Sequence, residues 1–342
     1  DDAHKLAEQV QGKLIFNQKN KIIVTSSKKN DYPESFKDYI DETFNLDSDI
    51  QLTSRDYKRN TRSVKINNVE IGGQSDNTLM ITGPCSIESR EQITNCANLL
   101  KKLGLTTLRA GCFKPRTSPY SFQGLGLEGL KMLSDIKKEY GFNIISEVKD
   151  TSHVKDVIKH TDIIQIGAKA MYDHSVLRET GKQKKPVLLK RGFGSTLQEF
   201  VQAAEFILSE GNPNVILCER GIRTFETKTR FTLDLCGVAF LKEYTNLPII
   251  LDTSHAMVYS YGVQVADVKV NSETGEVWVL NVTAAHDVGR AINPQGVIAQ
   301  IQGGIEMGIG QALIEEVEVH EGKVLTPDFA RYEIPVSLDT PE

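Results

Sequence analysis

The chain has 342 residues, 39% hydrophobic and 25% charged, a balance that excludes a disordered or fibrous class and fits a globular protein. A formal net charge of -5 and a pI near 5.9 argue against nucleic acid as the main partner, although local basic loops can still bind anions. No apolar run approaches the roughly 20 residues of a membrane span, and five scattered cysteines without a CxxC pair fit a reduced, cytoplasmic protein.

In chain order, residues 4–10 read as a short helix and 21–26 as a strand. Residues 33–44 begin with a proline and carry Phe36, Tyr39, Ile40 and Phe44 at helical spacing. With a further strand at 49–52 this makes a small β-α-β unit, too small to hold a core alone. Residues 59–76 are a charged connector with a hairpin that turns through Asn67-Asn68. From residue 77 apolar strands alternate with amphipathic helices. The strands fall at 79–82, 106–109, 143–147, 162–166, 186–190, 214–218 and 248–251. Near-continuous apolar strands imply a parallel sheet covered on both faces. Seven β/α units in series predict a TIM-type (β/α)8 barrel rather than an open doubly wound sheet, and no GxGxxG follows the first strand.

In such a barrel the active site lies at the C-terminal ends of the strands. Those ends read Gly83-Pro84-Cys85-Ser86, Arg109-Ala110-Gly111, Glu147, Gln165-Ile166-Gly167, Lys190-Arg191-Gly192, Glu219-Arg220-Gly221 and Asp252-Thr253-Ser254-His255. Any one of these is ordinary as a cap or turn residue. The recurrence of ionisable groups at the same end of successive strands is not. Arg109, Lys114, Lys190 and Arg220 converge on one mouth with Arg116 and Arg191 nearby, which predicts two anionic ligands. The loop 108–124 is stiffened by Pro115 and Pro119 and adds the hydroxyl of Thr117. Cys85 and His255, on the first and seventh strands, become neighbours if the barrel closes, and thiolate with imidazole suits a divalent transition metal. A small buried thiol and a hydrogen-bonded core histidine are the plainer alternatives.

GPCSIESREQ (83–92), LRAGCFKPRTSPYSFQGLG (108–126), DIIQIGA (162–168), PVLLKRG (186–192), ILCERGIRTFE (216–226) and LPIILDTSH (247–255) together resemble 3-deoxy-D-arabino-heptulosonate 7-phosphate (DAHP) synthases of the type Iβ group, over about residues 49–255. The related octulosonate 8-phosphate synthases share the plan, and KPRTSPYSFQG points to the heptulosonate enzymes. The resemblance implies a metal-dependent, aldol-like condensation of phosphoenolpyruvate with erythrose 4-phosphate at the entrance of the shikimate pathway. It implies that Lys190 and Arg220 hold phosphoenolpyruvate, that Arg109, Lys114 and Gln165 line its pocket, and that Glu147 positions water or a proton. Arg116 and Thr117 would bind the aldose phosphate. Cys85 and His255 would be two of four ligands of Mn2+, Fe2+ or a similar ion, which polarises the aldehyde. A homo-oligomer is implied if the barrel is intact. Residues 1–58 resemble part of a ferredoxin-like regulatory unit, so weak or absent feedback inhibition is expected.

After His255 the rhythm breaks. Residues 262–270 and 276–282 alternate apolar and polar around Asn271-Ser272-Glu273-Thr274-Gly275, an antiparallel hairpin rather than an eighth β/α unit. DVGRAINP and QIQGGIEMGIGQAL within 262–317 resemble a fragment of the molybdopterin-binding subunit of xanthine dehydrogenase-like hydroxylases. The other cofactor loops of that subunit are missing from the sequence, so neither hydroxylase activity nor bound molybdopterin is expected. The chain therefore reads as an incomplete barrel over 77–256 joined near Ala256 to an unrelated α+β segment, 257–342. Glu318-Val319-His320 follows a helix instead of the seventh β/α unit and, like Asp328, is set aside as a metal donor.

Overall fold

The computed structural model describes residues 2–17, 20–25, 33–46, 48–75, 78–114, 118, 120–225, 229–255, 262–286, 288, 293–320, 322–328, 331–336 and 339–341. The chain forms two compact units, Asp1–Met257 and Val258–Glu342.

The first unit opens with helix α1 (Asp2–Gln9) and an antiparallel hairpin of β1 (Lys13–Asn17) and β2 (Asn20–Val24). The expected helix at 33–44 is only a 3-10 turn at Glu34–Tyr39, and the expected strand at 49–52 is loop. A carboxylate explains the second difference. Glu205 accepts hydrogen bonds from the amides of Gln51 (2.8 Å), Leu52 (3.2 Å) and Thr53 (2.8 Å) and from Thr53 Oγ1 (2.7 Å). Those donors are engaged by a side chain and leave none for a ladder. Arg62, buried, donates to Asn246 Oδ1 at 2.6 Å and to the Leu52 carbonyl at 2.8 Å, which fastens the same connector from the other side. The N-terminal segment is thus a hairpin and a pinned connector, not a β-α-β unit. The predicted second hairpin forms as β3 (Ser63–Ile66) and β4 (Val69–Gly72), with Asn67 at φ 51° in its two-residue turn.

The parallel strands are β5 (Thr107–Arg109), β6 (Asn143–Val148), β7 (Ile163–Ile166), β8 (Val187–Lys190), β9 (Val215–Glu219) and β10 (Ile249–Leu251), hydrogen-bonded in the order β10-β9-β8-β7-β6-β5. Between and before them run α2 (Arg90–Lys102), α3 (Gly126–Tyr140), α4 (Val154–His160), α5 (His174–Gly181), α6 (Leu197–Leu208) and α7 (Leu235–Tyr244). Local signals set these boundaries. Thr196 and Glu199 form a reciprocal capping box on α6, and α3 stops at Gly141 in the left-handed region. The first expected strand, 79–82, contributes a single parallel bridge, Thr82 to Leu108, so the ladder has six strands and not seven. Pro84, two residues on, has no amide with which to extend it. The fold is an incomplete TIM-type α/β barrel.

The sheet separates two apolar layers. Outward-facing Leu108, Ile144, Ile164, Val187, Leu189, Val215 and Leu217 pack with the helices. Inward-facing Ile145, Ile163, Leu188, Ile216 and Cys218 pack with Val64, Ile66 and Ile71 of the β3–β4 hairpin. That hairpin closes the floor of the barrel.

In the second unit β11 (Gly262–Val270) pairs with β12 (Val277–His286), with a register shift at Asp267/Val268 that passes over Leu280. Helix α8 (Pro294–Leu313) starts on an Asn293 cap that accepts from the Gly296 amide at 3.0 Å. A two-residue pair follows, β13 (Val319–His320) with β14 (Lys323–Val324). Among the described residues no helix is long and apolar enough to cross a membrane.

Candidate active site at the strand ends

Strand parity builds this site. Side chains two residues apart face the same way, so the residues that follow the inner apolar layer by two must also face inward. Ile145 leads to Glu147, Ile163 to Gln165, Leu188 to Lys190, Cys218 to Arg220 and Ile250 to Asp252. The floor is apolar and the next layer up is polar and charged. Lys114, Glu147, Gln165, Lys190 and Arg220 are all buried. Buried ionisable groups persist only when paired or hydrogen-bonded, and here most are.

Arg109 anchors one wall. Its Nε donates to Gln165 Oε1 at 2.9 Å, Nη2 to Glu147 Oε2 at 3.1 Å and Nη1 to the Cys85 carbonyl at 3.1 Å. Gln165 Nε2 donates to the same Glu147 oxygen at 2.9 Å, and the Glu147 carboxylate lies against Gly167, where a Cβ would stand 2.1 Å from Oε1. Lys114 Nζ donates to the Cys85 carbonyl at 2.8 Å and to Cys85 Sγ at 3.1 Å. Partial burial pushes the Cys85 thiol up, but the hydrogen bond and charge of Lys114, with Arg109 behind them, outweigh it and hold the thiol below its ordinary range. On the opposite wall Lys190 Nζ pairs with Asp252 Oδ2, which also lies 3.2 Å from His255 Nδ1, and Asp252 Oδ1 accepts from the amide and hydroxyl of Ser254 at 3.0 and 2.6 Å. Burial opposes ionisation of Asp252, yet His255, Lys190 and Ser254 hold its carboxyl far below the usual range. The Arg220 guanidinium lies 4.3 Å from the Phe231 ring centroid and 5.0 Å from that of Phe193. Burial is the main influence lowering its pKa, and Asp252 acts in the opposite sense. Among the described residues no carboxylate lies within ion-pair distance of it.

The structure revises the sequence picture in three ways. The cations do not simply repel one another, because Glu147 and Asp252 offset Arg109 and Lys190 from inside the protein. Arg191 has the opposite parity from Lys190 and leaves the mouth. Its Nη1 pairs with Glu219 Oε2 at 2.9 Å and Asp234 Oδ2 at 2.7 Å, and it ties the ends of β8 and β9 to the start of α7. Asp252 is the strand-end residue whose contacts with Lys190 and His255 the motifs did not single out. Its position two residues past Ile250 was the available signal. Arg116 and Thr117 lie outside the described residues.

The expected metal donors are only partly arranged. Cys85 Sγ faces Lys114, and His255 is oriented through Nδ1 by Asp252, a carboxylate–histidine pairing that suits a ligating imidazole. Among the described residues, however, no group of three or more His, Cys, Asp or Glu is placed to hold a metal ion. The donor set falls short of a complete site.

The family model described as the DAHP synthetase I family matches residues 58–334. The chain belongs to that family. Phospho-2-dehydro-3-deoxyheptonate aldolase of Thermotoga maritima is 44% identical over 206 residues, which is 60% of this chain and 60% of that protein. The 2-dehydro-3-deoxyphosphooctonate aldolase of Fusobacterium nucleatum is 30% identical over 201 residues, 57% of this chain and 71% of that one. Among solved structures, the DAHP synthase of T. maritima superposes with a TM-score of 0.59 at 36% identity, covering 75% of each chain. A truncated form of the T. maritima enzyme gives 0.55 at 39% identity over 60% of this chain and 74% of that one. The higher identity to the heptonate relative than to the octonate one agrees with the reading of the KPRTSPYSFQG stretch within this DAHP synthetase family.

Proposed function

We propose that the chain condenses phosphoenolpyruvate with erythrose 4-phosphate and releases inorganic phosphate, as DAHP synthases do. The methylene carbon of phosphoenolpyruvate forms a bond to the aldehyde carbon, water adds at the enol carbon, and the phosphate leaves with its bridging oxygen. What carries this reading is the inward strand-end set Arg109, Glu147, Gln165, Lys190 and Arg220 above a sealed apolar floor, within a chain of this family.

Arg220 and Lys190 hold the phosphate and carboxylate of phosphoenolpyruvate by charge-assisted hydrogen bonds. Arg109 and Gln165 border the same pocket and fix Glu147, whose carboxylate orients the water or carries its proton. Lys114 completes the wall beside Cys85. Arg116 and Thr117 take the aldose phosphate. A divalent ion such as Mn2+ or Fe2+ belongs to this reading, with Cys85 and His255 as two of its donors, and when bound it supplies Lewis-acid polarisation of the aldehyde. Because the described donor set is incomplete, none of these residue roles depends on it.

The test is substrate discrimination by the full chain. With phosphoenolpyruvate held constant, a four-carbon aldose phosphate is expected to yield a seven-carbon product much faster than a five-carbon aldose phosphate yields an eight-carbon one. Equal or reversed preference would remove the heptulosonate assignment.

A further inference from the structure

Lys114 is useful only if its loop leaves β5 in the right direction, and the neck of that loop carries a contact with no counterpart among the motifs. Phe113, immediately before Lys114, lies face to face with the imidazole of His153, with ring centroids 3.9 Å apart and planes 16° from parallel. His153 closes the 3-10 turn Thr151–His153, a few residues after β6, the strand that carries Glu147. Two loops that flank the Arg109 wall of the mouth are therefore joined through one stacked pair.

Gly126, at the start of α3, lies beside the Cε1–Cζ edge of the same ring. A Cβ there would stand 3.4 Å from Phe113 Cε1. Two backbone bonds complete the neck, Lys114 N to Gln123 O at 2.9 Å and Gly126 N to Cys112 O at 2.9 Å. The ring is thus held by its stack on His153 while the main chain beside it is held at both ends.

What holds His153 is as informative as what it holds. Its Nδ1 is buried and lies 3.3 Å from Asp150 Oδ2, but outside hydrogen-bond geometry, and no other described group bonds to it. A buried polar nitrogen without a partner is costly. The stack on Phe113 is therefore the contact that orients the ring's flat face, with Asp150 an ion-pair neighbour at its polar edge.

We infer that His153 is a positioning residue for the substrate-binding loop: by stacking on Phe113 it sets the direction in which Lys114 enters the mouth. The inference rests on the proposed condensation for its kinetic meaning, while the clamp itself is a property of the fold. What the loop requires of residue 153 is a flat ring, not an imidazole nitrogen.

The test compares His153→Ala and His153→Phe in the full chain. His153→Ala is expected to raise KM for phosphoenolpyruvate, whose pocket Lys114 lines, about tenfold, the scale of one aromatic stack, with a smaller change in kcat and little change in melting temperature. His153→Phe is expected to restore KM to near the parent value. A parent-like KM in His153→Ala, or a His153→Phe variant no better than it, overturns the inference. If the parent chain shows no condensation, the functional reading fails separately, and hydrogen exchange then decides the clamp. Faster exchange at the Lys114 and Gly126 amides in His153→Ala, reversed in His153→Phe, supports it, and unchanged exchange overturns it.

Discussion

At the scale of single residues, the site is a set of buried charges held ready by neighbours. Lys190 is aimed by Asp252 and Arg109 by Glu147 and Gln165, whereas Arg220 packs on aromatic faces and, among the described residues, has no carboxylate within ion-pair distance. Arg220 is thus a cation of the mouth with no direct ion pair among the described residues. Arg220→Ala is expected to lower kcat/KM for phosphoenolpyruvate by about 10²–10³, the usual cost of removing a donor aimed at developing charge, and steady-state kinetics check this. The cysteines give a second expectation. Cys112 and Cys218 are buried, with their thiols pushed up to about 11 and about 12 chiefly by desolvation, while Cys85 is exposed beside Lys114. Native alkylation followed by peptide mapping should label Cys85 and spare Cys112 and Cys218. Phosphoenolpyruvate should slow labelling at Cys85 and leave Cys236, also exposed, unaffected.

At the scale of elements, the strand-to-helix rhythm was legible because each strand is a short apolar run bounded by turn residues, and β6 to β9 lie close to where the pattern puts them. The site was legible for a related reason, since polar groups recur at a fixed point in that rhythm. What the pattern hid were long-range side-chain-to-backbone bonds. Nothing near residues 49–52 announces that Glu205, about 150 positions away, will take their amides, so a plausible strand became a loop. Arg191 was misplaced for want of parity, because a run of two cations does not say which one faces inward. The Glu205 contact also ties the N-terminal connector to the barrel through four hydrogen bonds. Glu205→Ala should cost about 1.5–3 kcal/mol, the range for hydrogen bonds to a charged group, and lower the melting temperature by several degrees with kcat little changed. Calorimetry with parallel kinetics separates the two effects.

At the scale of the whole molecule, the family match reaches residue 334 and so runs across much of the stretch whose sequence resembles a molybdenum-hydroxylase fragment. The proposed junction near residue 256 rests on the change from β/α rhythm to an antiparallel hairpin, and the hairpin is present as β11 and β12. With two of four metal donors assigned, Mn2+ is expected to bind weakly, and tight stoichiometric binding in isothermal titration would contradict that. The homo-oligomer is expected only for an intact barrel, and light scattering of the full chain reads whether this incomplete one assembles. The central claim is the condensation itself. The purified chain, supplied with Mn2+, phosphoenolpyruvate and erythrose 4-phosphate, should consume phosphoenolpyruvate only when the aldose phosphate is present and release one inorganic phosphate for each one consumed. Loss of phosphoenolpyruvate that is independent of erythrose 4-phosphate, or none at all at saturating concentrations of both, would contradict the account.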